Sequence, residues 1–226
     1  MALILATLAL LLPPVAIAQT QPLNDTGQTQ CVNNVGAWPA ACDAANTGDS
    51  VGVAYPGQDG RFGRDRAQAA GVLPAKTGGG AAGFDFTARD ASGAVTTTLG
   101  SHDCVYDNVT GLLWSTEVLS MSWDGATAAY PSDGSGSYIR CNRTTGWRLP
   151  TRRELLSIVH NGDTWSPAVD KDYFPGYASW PSWNFGTADT YAPNPARAWV
   201  VDFGNGGPYV DNKTNTYSVR LVRSGQ

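Results

Sequence analysis

The chain has 226 residues, with 15 Lys and Arg against 19 Asp and Glu, for a net charge of -4. An acidic chain lacks the basic face that displaces counterions from a polyphosphate, so a general nucleic-acid binder is excluded. Its 26 Gly, 14 Pro and 8 Trp, with only 15% charged residues, describe a loop-rich, aromatic-rich protein large enough to bury a real core.

Residues 3–12 form an almost unbroken apolar run, followed by Pro13, Pro14 and Ala16-Ile17-Ala18. That is the pattern of a short signal-peptide core with an A-x-A cleavage site, so residues 1–18 are expected to be removed after Ala18. The run is too short for a bilayer core of about 30 Å, which needs roughly 20 apolar residues. No later segment is apolar enough to span a membrane. The expected location is secreted, periplasmic or cell-surface. The four cysteines, Cys31, Cys42, Cys104 and Cys141, then read as two disulfides. Three pairings exist; Cys31–Cys42 with Cys104–Cys141 is favoured because the first pair closes a local loop. Neither pair has C-x-x-C spacing, which points away from redox or zinc chemistry.

In chain order, residues 19–30 are polar and read as a flexible segment. Residues 31–100 are a Gly/Ala/Pro-rich lead-in, with one short helical turn over 64–71. Residues 76–83, K-T-G-G-G-A-A-G, are a loop, since glycine is costly in either regular element. They lack the GxxxxGK[ST] order of a phosphate cradle. Residues 101–226 form the better-patterned domain. Strands are expected over 95–99, 103–107 and 112–115, with turn chemistry in Asn108-Val-Thr-Gly111. A short helix is expected over 123–130 behind an N-cap at Ser122. The clearest helix begins at Thr151, where T-R-R-E is a capping box, and runs to Asn161-Gly162. Trp114, Trp147, Leu149 and Leu155 are assigned to the core, and Arg148 to an ion pair with Glu154 or another acid.

Residues 197–203 alternate, placing Trp199, Val201 and Phe203 on one face. Residues 217–222 alternate again, with Val219 and Leu221 inward or Tyr217 and Arg220 outward by parity. The two runs read as a hairpin or a related antiparallel pair. The fold class is therefore α+β: two helices, a mostly antiparallel sheet and long loops.

No G-x-S-x-G or H-E-x-x-H motif occurs, and His102 and His160 have no ligand-spaced neighbours. No catalytic residue, metal site or cofactor is assigned. Calcium is the one alternative, through Asp202, Asn205, Asp211 and Asn212. The functional hint lies in aromatics beside amides and carboxylates, a combination suited to a sugar's apolar face and its hydroxyls. The expected binding face comprises Trp180, Trp183, Asn184, Asp189, Tyr191 and Asn194 in one loop stretch. Asn205, Tyr209, Asp211 and Asn212 form a second.

Several segments together resemble one family. They are D-N-V-T-G-L-L-W from Asp107 to Trp114, Trp123, and G-W-R-L-P-T-R-R-E-L from Gly146 to Leu155. Tyr173-Phe174-Pro175, A-W-V-V-D-F from Ala198 and Y-S-V-R-L-V-R from Tyr217 follow in order, and T-G-Q-T-Q-C from Thr26 and G-Q-D-G-R-F-G from Gly57 look like the lead-in. They resemble the Lcl C-terminal domain family, named for a bacterial collagen-like adhesin. The resemblance implies a C-type-lectin-like fold with a late, variable loop surface. It also implies surface binding of glycan or a surface protein, with trimeric assembly in the adhesin. The L-P-T-x-x-E segment is similar to one in formylglycine-generating proteins, but no cysteine follows Cys141, so that activity is not implied. The expected function is adhesin-like recognition. The alternative is a structural, self-assembling surface subunit, and an enzyme ranks below both.

Overall fold

The computed structural model describes residues 25–28, 63–69, 71, 73–163 and 167–225. The expected signal peptide over residues 1–18, and the expected Cys31–Cys42 pair, lie outside the described residues. Two sheets share the described chain. Strands β1 (Phe86–Arg89), β2 (Cys104–Asp107), β3 (Leu112–Ser115) and β9 (Val222–Ser224) form a four-stranded sheet in the order β1-β2-β3-β9. Strands β4 (Leu119–Ser122), β5 (Asn184–Thr190), β6 (Arg197–Asp202), β7 (Gly207–Asn212) and β8 (Thr216–Val219) form the second, in the order β4-β8-β5-β6-β7. All pairings are antiparallel except β5 with β8. Helices α1 (Arg64–Ala69), α2 (Trp123–Ala129) and α3 (Arg152–Leu156) are short, and Tyr177–Ser179 is a single 3-10 turn. The class is α+β with β predominating, and it has three α-helices among the described residues where two were expected.

The core has two parts. Phe86, Ala88, Val105, Leu112, Trp114 and Val222 on one face of the first sheet pack with Leu155, Ile158, Phe174, Phe185, Val201 and Phe203. Cys104 and Leu113 on the opposite face pack with Ala126, Cys141, Trp147, Leu149, Val219 and Leu221. The disulfide Cys104–Cys141 crosses this second part. Trp114, Trp147, Leu149 and Leu155 are all core, as their apolar surroundings in the sequence imply.

Local sequence signals explain several elements. Ser122 Oγ accepts the Gly125 N–H at 3.2 Å and starts α2. Asp107, fully buried at the end of β2, accepts the N–H groups of Val109 and Thr110 and the Thr110 hydroxyl. That side-chain turn, with Gly111 at φ 70°, delivers the chain into β3. Residues 76–83 are irregular as expected, apart from one bridge from Gly79 to Phe86.

Other expectations give way. Residues 95–99 are not a strand, and Val95 makes one bridge, to Arg89. Asp90 gathers Ser92 and Ala94 into a tight turn, and Thr96 Oγ1 accepts the Thr98 N–H, so local side-chain bonds compete with a ladder. The strand lies earlier, at β1, where Phe86 and Ala88 point inward and Thr87 and Arg89 are partly exposed. The helix after Thr151 stops at Leu156. Ser157 Oγ donates back to Glu154 O, and the next N–H groups tighten to i→i+3 bonds. His160 and Asn161 then donate to Ala168 and Thr26, long-range partners that draw the chain off the helix axis. The hairpin between 197–203 and 217–222 does not form. The turn after β6 returns the chain directly into β7, which pairs with β6. The 217–222 run is divided: β8 belongs to one sheet and β9 to the other.

Candidate functional site

The residues expected in two loops occupy strands as well as turns. Asn184 and Asp189 are on β5, an interior strand of the five-stranded sheet, and Tyr209, Asp211 and Asn212 are on β7 at its edge. Tyr191 and Asn194 occupy the turn from β5 to β6, and Asn205 the turn from β6 to β7. N-F-G-T-A-D-T hides β5 because it lacks a run of large apolar residues. Thr187 is fully buried, and its hydroxyl donates to Trp199 O at 2.8 Å where the β5–β6 register shifts. A side chain thus replaces a ladder bond at an irregularity. G-P-Y-V-D-N reads as turn chemistry, yet its pairing with β6 holds it extended.

Trp180 is partly buried and packs against the core. Its ring meets Phe185 edge-on at 5.0 Å and Phe203 at 6.3 Å. Trp183 is 44% exposed, the most open indole of the predicted set. Asn194 and Asn205 are exposed, and their side chains accept Ala196 N–H and Gly207 N–H within their own turns.

Asp189 and Tyr191 converge with two residues not assigned to the face, Arg152 and Trp199. Asp189 Oδ2 accepts the Arg152 backbone N–H at 2.5 Å and fastens the start of α3 to β5. The Arg152 guanidinium lies 4.0 Å from the centre of the Trp199 ring. Tyr191 meets the same ring edge-on at 5.4 Å and 87°. Trp199 is half-buried rather than fully inward, because α3 delivers a cation to its face instead of an apolar side chain. The arrangement is a half-exposed aromatic shelf on a strand, with a stacked guanidinium. The capping box marks where α3 starts, but it does not say which strand the helix meets.

The four residues weighed for calcium do not converge. Asp202 accepts Gly204 N–H at 2.6 Å, and Asp211 accepts Asn212 N–H at 2.7 Å and the Asn215 amide at 3.0 Å. Asp202 pairs with Gly207 and Asp211 with Ala198, so the two carboxylates lie four residues apart along β6. At a strand rise of about 3.3 Å per residue that is roughly 13 Å, too far for one ion. Among the described residues no three His, Cys, Asp or Glu side chains are grouped to hold a metal. Tyr209 is raised from its ordinary pKa by burial and by the charges of Asp211 and Asp202. His102 Nε2 bonds Tyr173 O at 2.8 Å in the interior.

A cleft of about 210 Å³ lies on another side, between 116–118 and 175–180. Its walls are Thr116, Glu117, Val118, Pro175, Gly176, Ser179 and Trp180. Behind them sits Arg220. Parity put this residue outward, but it is 1% exposed. Nη1 donates to Ser115 O at 2.6 Å and Thr116 O at 3.3 Å. Phe174, Trp180 and Phe185 surround the guanidinium at 4.8, 5.2 and 5.7 Å. Nη2 has no partner. The reversal follows from the division of the 217–222 run, since a residue at the crossing point between two sheets has no solvent side.

No curated protein matches this chain. The family model of the Lcl C-terminal domain matches residues 103–223. The matched segment runs from the start of β2 into β9, and includes the disulfide, α3, the aromatic shelf and Arg220. Covering more than half of the chain, that match makes this protein a member of the Lcl C-terminal domain family.

Proposed function

We propose that the chain is an exported, surface-associated recognition protein of C-type-lectin-like architecture, a binder and not an enzyme. Its ligand is a glycan or a glycan-bearing surface partner, engaged in an adhesin-like manner outside the cytoplasm. The observation that carries this reading is the Trp199 shelf, where an indole is held on a strand between Arg152 at 4.0 Å and Tyr191 at 5.4 Å. An aromatic ring face covers the C–H face of a sugar, and a stacked guanidinium keeps in-plane donors for hydroxyls or carboxylates. The strand supplies the rigidity that such a platform needs. Family membership supports surface association, and the apolar leader supports export.

A glycan and polysaccharide array of the mature, disulfide-intact protein tests the reading, run with calcium and with a chelator. Binding is expected to survive the chelator and to fall at least tenfold in Trp199→Ala. Equal binding by wild type and Trp199→Ala would sink the shelf as the site, and silence of the wild type would sink glycan recognition. Exposed Val95 and Ile139, 64% and 67% open, favour one other reading, self-assembly on a cell surface. Size-exclusion chromatography with light scattering separates the two, since a strict monomer counts against assembly.

A further inference from the structure

Strand β1 is an edge of the four-stranded sheet, and its outer side is only partly paired. Phe86 exchanges both backbone bonds with Gly79, at 2.7 and 2.8 Å. Two residues on, the Ala88 carbonyl accepts the Thr96 N–H at 3.0 Å. The N–H and C=O of one strand residue point to the same side, so the Ala88 N–H also faces outward, between the Gly79 and Thr96 arms. Among the described residues no acceptor meets it. Ala88 is 3% exposed, and a buried N–H without an acceptor is rare and costly.

A groove of about 350 Å³ lies along this gap, and Ala88 is part of its lining. Phe86, Thr87 and Ala88 form the floor, residues 77–79 one wall, and residues 95–97 with Leu99 the other. Among the described residues no charged side chain lines it, so a carboxylate or phosphate finds no counter-charge there. Val95 and Leu99 give the wall an apolar character and are 64% and 41% exposed. The Thr87 hydroxyl accepts the Asn108 amide at 2.9 Å, and the Thr96 hydroxyl accepts the Thr98 N–H at 3.1 Å, which leaves each with its own proton to donate. An acetamido group answers both needs of the groove. Its carbonyl is an acceptor for the Ala88 N–H, and its methyl is a match for Val95 and Leu99.

The geometry points to a subsite for an N-acetylated sugar, with the acetamido carbonyl on the Ala88 N–H, the methyl against Val95 and Leu99, and the ring hydroxyls toward the threonines. β1 belongs to the other sheet from the Trp199 shelf, so this subsite is a second one and goes beyond the shelf reading. Methyl N-acetylglucosaminide is the probe, and methyl glucoside, with a hydroxyl in place of the acetamido group, is its control. Each is titrated into isotope-labelled mature protein and followed by the backbone amide resonances. Saturable binding of the N-acetylated sugar in the millimolar range is expected, with the Ala88 amide proton moving downfield and the glucoside at least tenfold weaker. Val95→Asp and Leu99→Asp, both at exposed positions, should each weaken binding at least tenfold while amide resonances away from the groove stay as in wild type. The Ala88 amide reports this groove alone, so the result is read independently of the Trp199 shelf. Equal binding of the two sugars, no saturation by either, an Ala88 amide that does not move at saturation, or unchanged affinity in the two folded variants overturns the proposal.

Discussion

Glu154 joins two structural tasks in one carboxylate. Oε2 accepts the Thr151 N–H at 2.8 Å and closes the capping box, while Arg148 donates Nη1 to Oε2 at 2.9 Å and Nη2 to Oε1 at 2.6 Å. Burial alone would raise its pKa, but the bonds from Arg148 and Thr151 outweigh burial and hold it below the ordinary 4.5. A folded value below the unfolded one means that the unfolded chain takes up the proton first. The stabilisation is complete above about pH 4.5, and it is lost as pH falls through the lower folded value. Glu154→Gln should cost about 1–2 kcal/mol at neutral pH and flatten the acid side of the stability profile. Urea midpoints measured from pH 3 to 7 check both; a variant that keeps the wild-type slope would show that another group carries it. Both partners were legible as residues, because the capping box is a local pattern and Arg148 lies in the preceding extended stretch.

At the scale of elements, the disulfide ties β2 to the loop after α2, closing a separation of 37 residues. Chain-entropy loss for a loop of that size stabilises by about 4 kcal/mol. The paired Cys104→Ser/Cys141→Ser variant should therefore lose about that much in equilibrium urea unfolding. A loss well under ~1 kcal/mol would mean that the surrounding core, with Trp147 and Leu149, already restrains the unfolded chain. The elements that sequence reading missed share a physical cause. β5 and β7 have little strand propensity of their own, with Asn184, Gly186, Ala188 and Asp189 in one and Gly207, Pro208, Asp211 and Asn212 in the other. Each is extended because a neighbouring strand accepts its hydrogen bonds, and strand propensity is largely set by such context.

The molecule as a whole is two sheets joined by two short runs of chain, β3 to β4 through 116–118 and β8 to β9 through Arg220 and Leu221. Its five-stranded sheet leaves β7 as an edge, and that edge carries Pro208, which has no N–H to donate, and Asp211, which places charge beside it. Such residues discourage strand-to-strand association. Replacing both, Pro208→Val with Asp211→Val, should raise self-association in light scattering at high protein concentration, with the monomer fold retained by circular dichroism. An unchanged monomer at all concentrations would show that the edge is protected by other means.

What the sequence by itself determined is whatever depends on neighbours in the chain. Ser122 and Thr151 cap helices within three residues, Asp107 shapes its own turn, and Arg148 meets Glu154 across a short span. The family motifs are built from such short pieces, which is why the resemblance is legible in the order of residues alone. Only the tertiary structure decided the rest. Parity along 217–222 is a correct local rule, but it assumes one sheet with one wet face. The chain changes sheets at Arg220, so the rule places outside a residue that is in fact enclosed. Arg152, Asp189, Tyr191 and Trp199 likewise become neighbours only when α3 docks on β5 and β6. Those contacts arise from strand order and helix docking, which are set by burial over the whole chain and leave no periodic mark in any one segment.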